Sequence, residues 1–153
     1  MSNVFNTAFE LSLRVLLTLE TSEGGRLSAD KIAALDFITT YGLEFGIADE
    51  NLHGENDYKF GEFALRRELV KEALRLLVLD AFVVVEDTDG GFAYSISKRG
   101  KKYTEKFGNE YAHIYRALSI KASKYLTGLS EREALRRIND KSLLSLQRGE
   151  VNG

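Results

Sequence analysis

A mostly helical α+β fold is what this sequence predicts: a winged-helix-like core of three helices and a β-hairpin wing, with a C-terminal helical extension. Three observations carry that expectation. Residues 61–80, GEFALRRELVKEALRLLVLD, place apolar side chains at helical spacing for about five turns. Residues 81–97, AFVVVEDTDGGFAYSIS, set strand-forming runs on either side of Asp89, Gly90 and Gly91, a turn tolerant of positive φ. The helix enters this hairpin without a linker, and two further helical patterns precede it. The core is expected over residues 5–97 and the extension over 98–147, packed together as one domain.

Composition narrows the function classes. The chain has 153 residues, enough for one domain with a sizeable core, and its 44% hydrophobic content argues against overall disorder. A net charge of −2 excludes a uniformly basic nucleic-acid binder but leaves room for a local basic patch. The absence of cysteine removes disulfides, thiolate metal sites and a cysteine nucleophile. No apolar run approaches the ~18 residues that span a bilayer, and MSNVFNTAFE lacks the basic start of a secretory signal. A cytoplasmic protein with no membrane contact is therefore expected.

Taken in order, the first helix is expected over residues 6–20. Its apolar residues surround most of the circumference, and only Glu10, Arg14 and Thr18 form a polar strip. Such a helix is central, or is covered by a partner or a second copy. Asn6, Thr7, Phe9 and Leu13 are the candidate interface residues. Ser28 is a good N-cap for a second helix to about Tyr41. Residues 44–59 read as an acidic loop. Asp49, Asn51, His53 and Gly54 partly imitate a calcium loop, but Phe60 stands where the bidentate glutamate belongs. Ser97 caps one long helix expected to reach Leu126, with Tyr103, Phe107, Ile114, Leu118 and Tyr125 as a core stripe. Ser130 and Glu133 form a capping box for a last helix to about Leu146.

One charge stands out within the apolar arc of the long helix. Arg66 projects among Phe63, Leu65, Leu69, Val70, Ala73, Leu74, Leu76 and Leu77. A buried guanidinium needs a carboxylate. Asp36, which falls between Ile32 and Ala33 in projection, and Glu10 are the candidate partners.

No catalytic constellation, cofactor motif or metal-ligand cluster is legible, and no cofactor is expected. The strongest anomaly is cationic: Lys98, Arg99, Lys101, Lys102 and Lys106 crowd the start of a predicted helix. The helix dipole disfavours cations there by about 0.3–1 kcal/mol each, which contact with DNA phosphates would offset. Arg67, Lys71 and Arg75 form a second basic line, interleaved with Glu68 and Glu72 as a salt-bridged surface would be. Asp87 and Asp89 make the wing tip acidic, unlike the basic wing of a free-standing winged-helix transcriptional regulator. That regulator is the alternative reading; an interaction module without nucleic-acid contact is a third.

Several short motifs occur together in one order. They are Asn6-Thr7-Ala8-Phe9-Glu10, Leu35-Asp36-Phe37, Leu52-His53, Arg66-Arg67 and the hairpin segment from Gly91 to Tyr94. In that order and spacing the chain resembles the small middle component of three-component ABC-ATPase systems, the Lamassu-type bacterial defence systems. The resemblance runs from about Asn6 to Leu126; Ala8 replaces an expected proline, and the helix after Gly128 lies outside it. It implies a non-enzymatic bridging subunit that binds an SMC-like ABC ATPase and an effector subunit, often a nuclease. The complex would respond to foreign DNA, phage or plasmid, and meet double-stranded DNA.

Overall fold

Helix α1 covers Ala8–Thr21, α2 covers Ala29–Thr40, and a 3-10 turn follows at Gly42–Phe45. Helix α3, Phe63–Leu79, leads into strands β1, Val83–Thr88, and β2, Gly91–Ile96. Three helices complete the chain: α4, Lys98–Thr104, α5, Glu110–Tyr125, and α6, Glu131–Asn152. This computed structural model describes residues 7–22, 25–53 and 63–152. The fold is mostly helical α+β, as predicted.

The predicted caps form: Ser28 accepts from the Lys31 amide, Ser97 from Gly100 and Ser130 from Glu133, each filling an orphan donor of its helix. Thr7, expected as an interface residue, caps α1 by accepting from the Glu10 amide. The central helix is α2, which packs against α1, α3, α5 and α6 and buries every residue from Ile32 to Thr40. Helix α1 buries Leu11, Val15, Leu16, Leu17 and Leu19 inside the monomer, so most of its all-round apolarity needs no partner chain. Phe37 on α2 is the aromatic hub, with ring centroids 5.0 Å from Tyr41 and 5.1 Å from Phe63.

Helix α3 turns out to be rotated from the expected arc. Its buried stripe is Phe63, Arg66, Val70, Ala73, Leu74 and Leu77, with Arg66 near the middle. Leu65 is 62% exposed, because burying Arg66 swings its neighbour out by about 100°. The helix ends in a Schellman arrangement: the Phe82 amide donates to Leu77 O and that of Ala81 to Val78 O. Ala81 takes the left-handed position, φ 63°, where glycine is usual.

The hairpin pairs Val83 with Ile96 through Thr88 with Gly91, leaving Asp89 and Gly90 as a two-residue turn. The positive φ falls on Gly91 (108°). Leu27, between α1 and α2, exchanges two backbone hydrogen bonds with Tyr94. So β2 is flanked on both sides, whereas β1 has no backbone partner on its outer edge among the described residues.

The long helix expected from Ser97 to Leu126 is two helices. Asn109 caps α5 by accepting from the Ala112 amide, and Gly108 precedes it, so the chain turns between α4 and α5. Arg116 reaches back and donates to the Phe107 and Thr104 carbonyls, and to Glu20. It thereby sets a cation and two donors at carbonyls at and just beyond the C-terminal end of α4, where a cation is favoured. The break also shifts the helical phase. The buried face of α5 is Ala112, Tyr115, Ser119 and Ala122, while Ile114 of the expected stripe is exposed. Within the predicted acidic loop, Asn51 accepts from the Leu43 amide; residues 54–60 lie outside the described residues. Helix α6 runs to Asn152, past the expected end near Leu146.

Candidate functional site

Four helices meet at one carboxylate. Asp36 of α2 receives a bidentate guanidinium from Arg14 of α1, Nε to Oδ1 at 2.8 Å and Nη2 to Oδ2 at 3.1 Å. Arg66 of α3 donates to Thr40 Oγ1 at 2.7 Å and reaches Asp36 Oδ2 at 3.4 Å. Tyr115 of α5 donates to Oδ1 at 2.6 Å, and its hydroxyl lies 3.0 Å from Thr18. The Arg66 guanidinium also stands over the rings of Phe37 and Tyr41, 5.3 and 5.4 Å from their centroids. Of the two carboxylates considered for Arg66, Asp36 is the one within reach; Glu10 stands at the partly exposed rim.

Electrostatics follows the geometry. Burial pushes the Asp36 carboxyl up, but the charges of Arg14 and Arg66 and their hydrogen bonds outweigh it and hold it far below the usual range. Burial and the Asp36 charge raise the Tyr115 phenol well above its ordinary value. Beside this centre, His53 Nε2 lies 2.7 Å from the Tyr111 hydroxyl. Burial first, then the Arg14 charge, pushes the His53 pKa down to about 3, and burial pushes Tyr111 up to about 12. Arg14, Asp36, Arg66 and Tyr115 are each at most 1% exposed. An acid so enclosed meets no solvent-borne substrate, and its arrangement ties α1, α2, α3 and α5 together.

The sequence marked Arg14 and Thr18 as part of a polar strip with no direction assigned to it; both are buried. A polar strip at i, i+4, i+8 on a helix otherwise apolar marks the face turned to the network. Tyr115 and Tyr111 carried no sequence signal of their own.

The cationic cluster is a surface feature. Lys98, Arg99, Lys101, Lys102 and Lys106 are all exposed. Lys98, Arg99, Lys102 and Lys106 line an open groove of about 620 Å³ with Phe82 and Tyr103. The Phe82 and Tyr103 rings stack at 4.6 Å, and the Arg99 guanidinium stands 4.9 Å over Phe82 while donating to Asp80 O. The dipole reasoning holds only in part. Helix α4 has seven residues, so Lys101 and Lys102 sit in its last turn, where the dipole favours a cation. The second basic line is neutralised within the chain. Arg67 forks onto Asp30 at 3.0 and 2.9 Å, Lys71 pairs with Glu68 and Arg75 with Glu72.

At the N-terminal end of α1, Phe9 is 64% exposed. It separates two apolar grooves of about 480 and 320 Å³. Leu13 lines both; Leu17 and Phe107 lie on one side, Leu76, Phe82 and Tyr103 on the other. Thr7 is engaged as the N-cap, and Asn6 lies outside the described residues.

A family model described as ABC-three component (ABC-3C) system Middle Component 2 matches residues 4–148. The chain belongs to this family. No curated protein and no solved structure matches it. The match passes Gly128 and takes in most of α6, which the motif resemblance had left out. As a Middle Component 2 protein the chain is one component of a multi-subunit ABC system, so it works with protein partners. Among the described residues no cluster of His, Asp or Glu could hold a metal ion, and no helix is long and apolar enough to cross a membrane.

Proposed function

We propose that this Middle Component 2 chain is a non-catalytic bridging subunit in a Lamassu-type assembly acting against foreign DNA in the cytoplasm. It would join an SMC-like ABC ATPase to an effector subunit, with a winged-helix-like core over residues 5–97 and the later helices as its extension. The observation that carries the reading is a division of charge. The Arg14 and Arg66 guanidiniums are turned inward to Asp36, and Arg67 and Arg75 are paired on the surface. The cations of the α4 groove stand out in solvent around an aromatic floor. Phosphate is the chemistry such a groove accepts, and binding without base readout follows because long, solvated lysines offer no fixed fork to a base edge. A chain of net charge −2 binds DNA weakly alone, so the contact matters inside a complex that holds the groove against a duplex.

The test is a Lys98→Gln, Arg99→Gln, Lys101→Gln, Lys102→Gln variant in the assembled complex. Assembly stays normal, DNA affinity falls, and each lost contact lowers the log–log salt slope by about 0.9. Retention of both affinity and slope would reduce the cluster to a solvated face. A free-standing regulator is disfavoured by the neutralised outer face of α3 and by Asp87 and Asp89 at the hairpin tip.

A further inference from the structure

The hairpin presents an unusual combination. Strand β1 is buried only at Val83; Val84 through Thr88 are exposed. Its outer edge has no backbone partner among the described residues, whereas β2 is held by β1 on one side and Leu27 on the other. A two-stranded hairpin with an open edge is a template for another strand. The face beside that edge is apolar. Leu79 at 69% exposure, Phe92 at 60% and Val85 surround a shallow groove of about 290 Å³ between α3 and the hairpin.

From this we infer that two copies of the chain pair antiparallel along β1, forming a continuous four-stranded sheet across a two-fold axis. The occupant follows from the charge layout. The tip of the hairpin carries Asp87 and Asp89; its base is flanked by Lys98 and Arg99. Antiparallel self-pairing lays the tip of one hairpin along the base of the other, so the opposite charges meet. Register follows from the pleat. A two-fold perpendicular to the sheet requires facing residues on the same side, so they differ by an even number. Centring on Glu86 would oppose two glutamates. Centring on Val85 sets Val85 against Val85, Val84 against Glu86 and Val83 against Asp87. Asp89 then falls beside Ala81, next to Asp80, whose carbonyl accepts from Arg99. Asp80 is the one like charge there, outnumbered by Lys98 and Arg99. Glu86 is paired within its own chain by Arg26 and so does not oppose the approach. The two apolar grooves come to lie side by side, and Val85, Phe92 and Leu79 of both copies share one cover. Lys98 and Arg99, which also line the groove proposed for phosphate, serve this pairing as well, whereas Lys101, Lys102 and Lys106 take no part in it; the variants below leave all five cations in place, so the pairing is tested apart from DNA contact.

The experiment is sedimentation velocity on the full chain, with two variants. The unmodified protein sediments as a dimer in the micromolar range. Val85→Lys puts like charges on the two-fold axis and raises the dimer dissociation constant more than about tenfold, with an unchanged far-UV spectrum. The chain has no cysteine, so Val85→Cys is a clean probe. Opposed residues of an antiparallel pair have Cα atoms about 4.5–5.5 Å apart, within disulfide reach, and mild oxidation gives a covalent dimer. A Lys121→Cys control, exposed on α5 away from the hairpin, gives none. A protein monomeric at every concentration would overturn the proposal. So would a dimer that Val85→Lys leaves intact, or one in which Val85→Cys does not cross-link.

Discussion

Asp36 carries more of this molecule than its neighbours do. It answers two guanidiniums and a phenol in a fully buried site, where each bond strengthens its neighbours. Arg66→Ala empties a fully buried site and strips the bonds to Thr40 and Asp36, and loses about 3–5 kcal/mol in urea melts. A loss below about 1 kcal/mol would mean that Arg66 is dispensable to the core. Asp36→Asn is worse, since it removes the carboxylate charge that both buried guanidiniums share. His53 adds a pH dependence with a definite sign. Its pKa falls from 6.5 in the unfolded chain to about 3 in the folded one. Between those values the unfolded state binds the extra proton, so stability drops on acidification by about 1.4 kcal/mol per pH unit. Asp36, whose folded pKa is depressed, adds its own loss only below the ordinary carboxylate range. Urea midpoints from pH 7 to 4 check this; His53→Gln flattens the slope over that window. The residues of the network were unequally legible. Asp36 and Arg66 announced themselves as charges on apolar faces. Arg14 did not, because a helix projection reports a polar strip without saying which way it faces. Tyr115 joins from 79 positions away, a distance no local pattern spans.

The elements were legible where caps and periodicity agreed, and were misread where one residue overrode the period. Ser28 and Ser130 gave the starts of α2 and α6 directly, through side-chain caps that act within three residues. The α4–α5 break was missed because its signals are only Gly108 and Asn109, and what secures it is Arg116 from the following helix. Two substitutions probe the junctions of the hairpin. Gly100 is buried at the start of α4, and a Cβ there would meet the Phe82 carbonyl oxygen at 2.3 Å and Ile96 Cγ1 at 2.7 Å. Since backbone cannot step aside, Gly100→Ala destabilises by more than about 1 kcal/mol despite the better helix propensity of alanine. Ala81 offers the reverse case. It is exposed and left-handed, a conformation costing a non-glycine residue about 1 kcal/mol. Ala81→Gly relieves that cost without losing packing and raises the melting temperature by a few degrees, as thermal scans of the two variants will read.

At the scale of the whole molecule, the question is which surface is left for partners once the core is accounted for. The all-round apolarity of α1 allowed either a central helix or one covered by a partner, and α2, α3 and α5 cover most of it. What remains outward is its first turns, Phe9 and Leu13, between two grooves that the fold does not fill. One groove shares Phe82 and Tyr103 with the cationic groove, so a protein seated on Phe9 lies beside any DNA held at α4. That adjacency suits a bridging subunit. It also permits a test that separates docking from folding. Phe9 is largely exposed, so Phe9→Ser changes the stability of the free chain by no more than about 0.5 kcal/mol. An aromatic anchor closed off from water in an interface costs at least about 2 kcal/mol when removed, more than tenfold in affinity. The variant therefore melts as the native chain does, yet is recovered with its ABC-system partners at less than a tenth of the native affinity. Hydrogen exchange locates the effect. Binding slows exchange in the first turns of α1, around Phe9 to Leu13, and leaves the later turns, already buried, unchanged. Full recovery of the Phe9→Ser complex, with no added protection in those turns, would move the interface elsewhere on the chain.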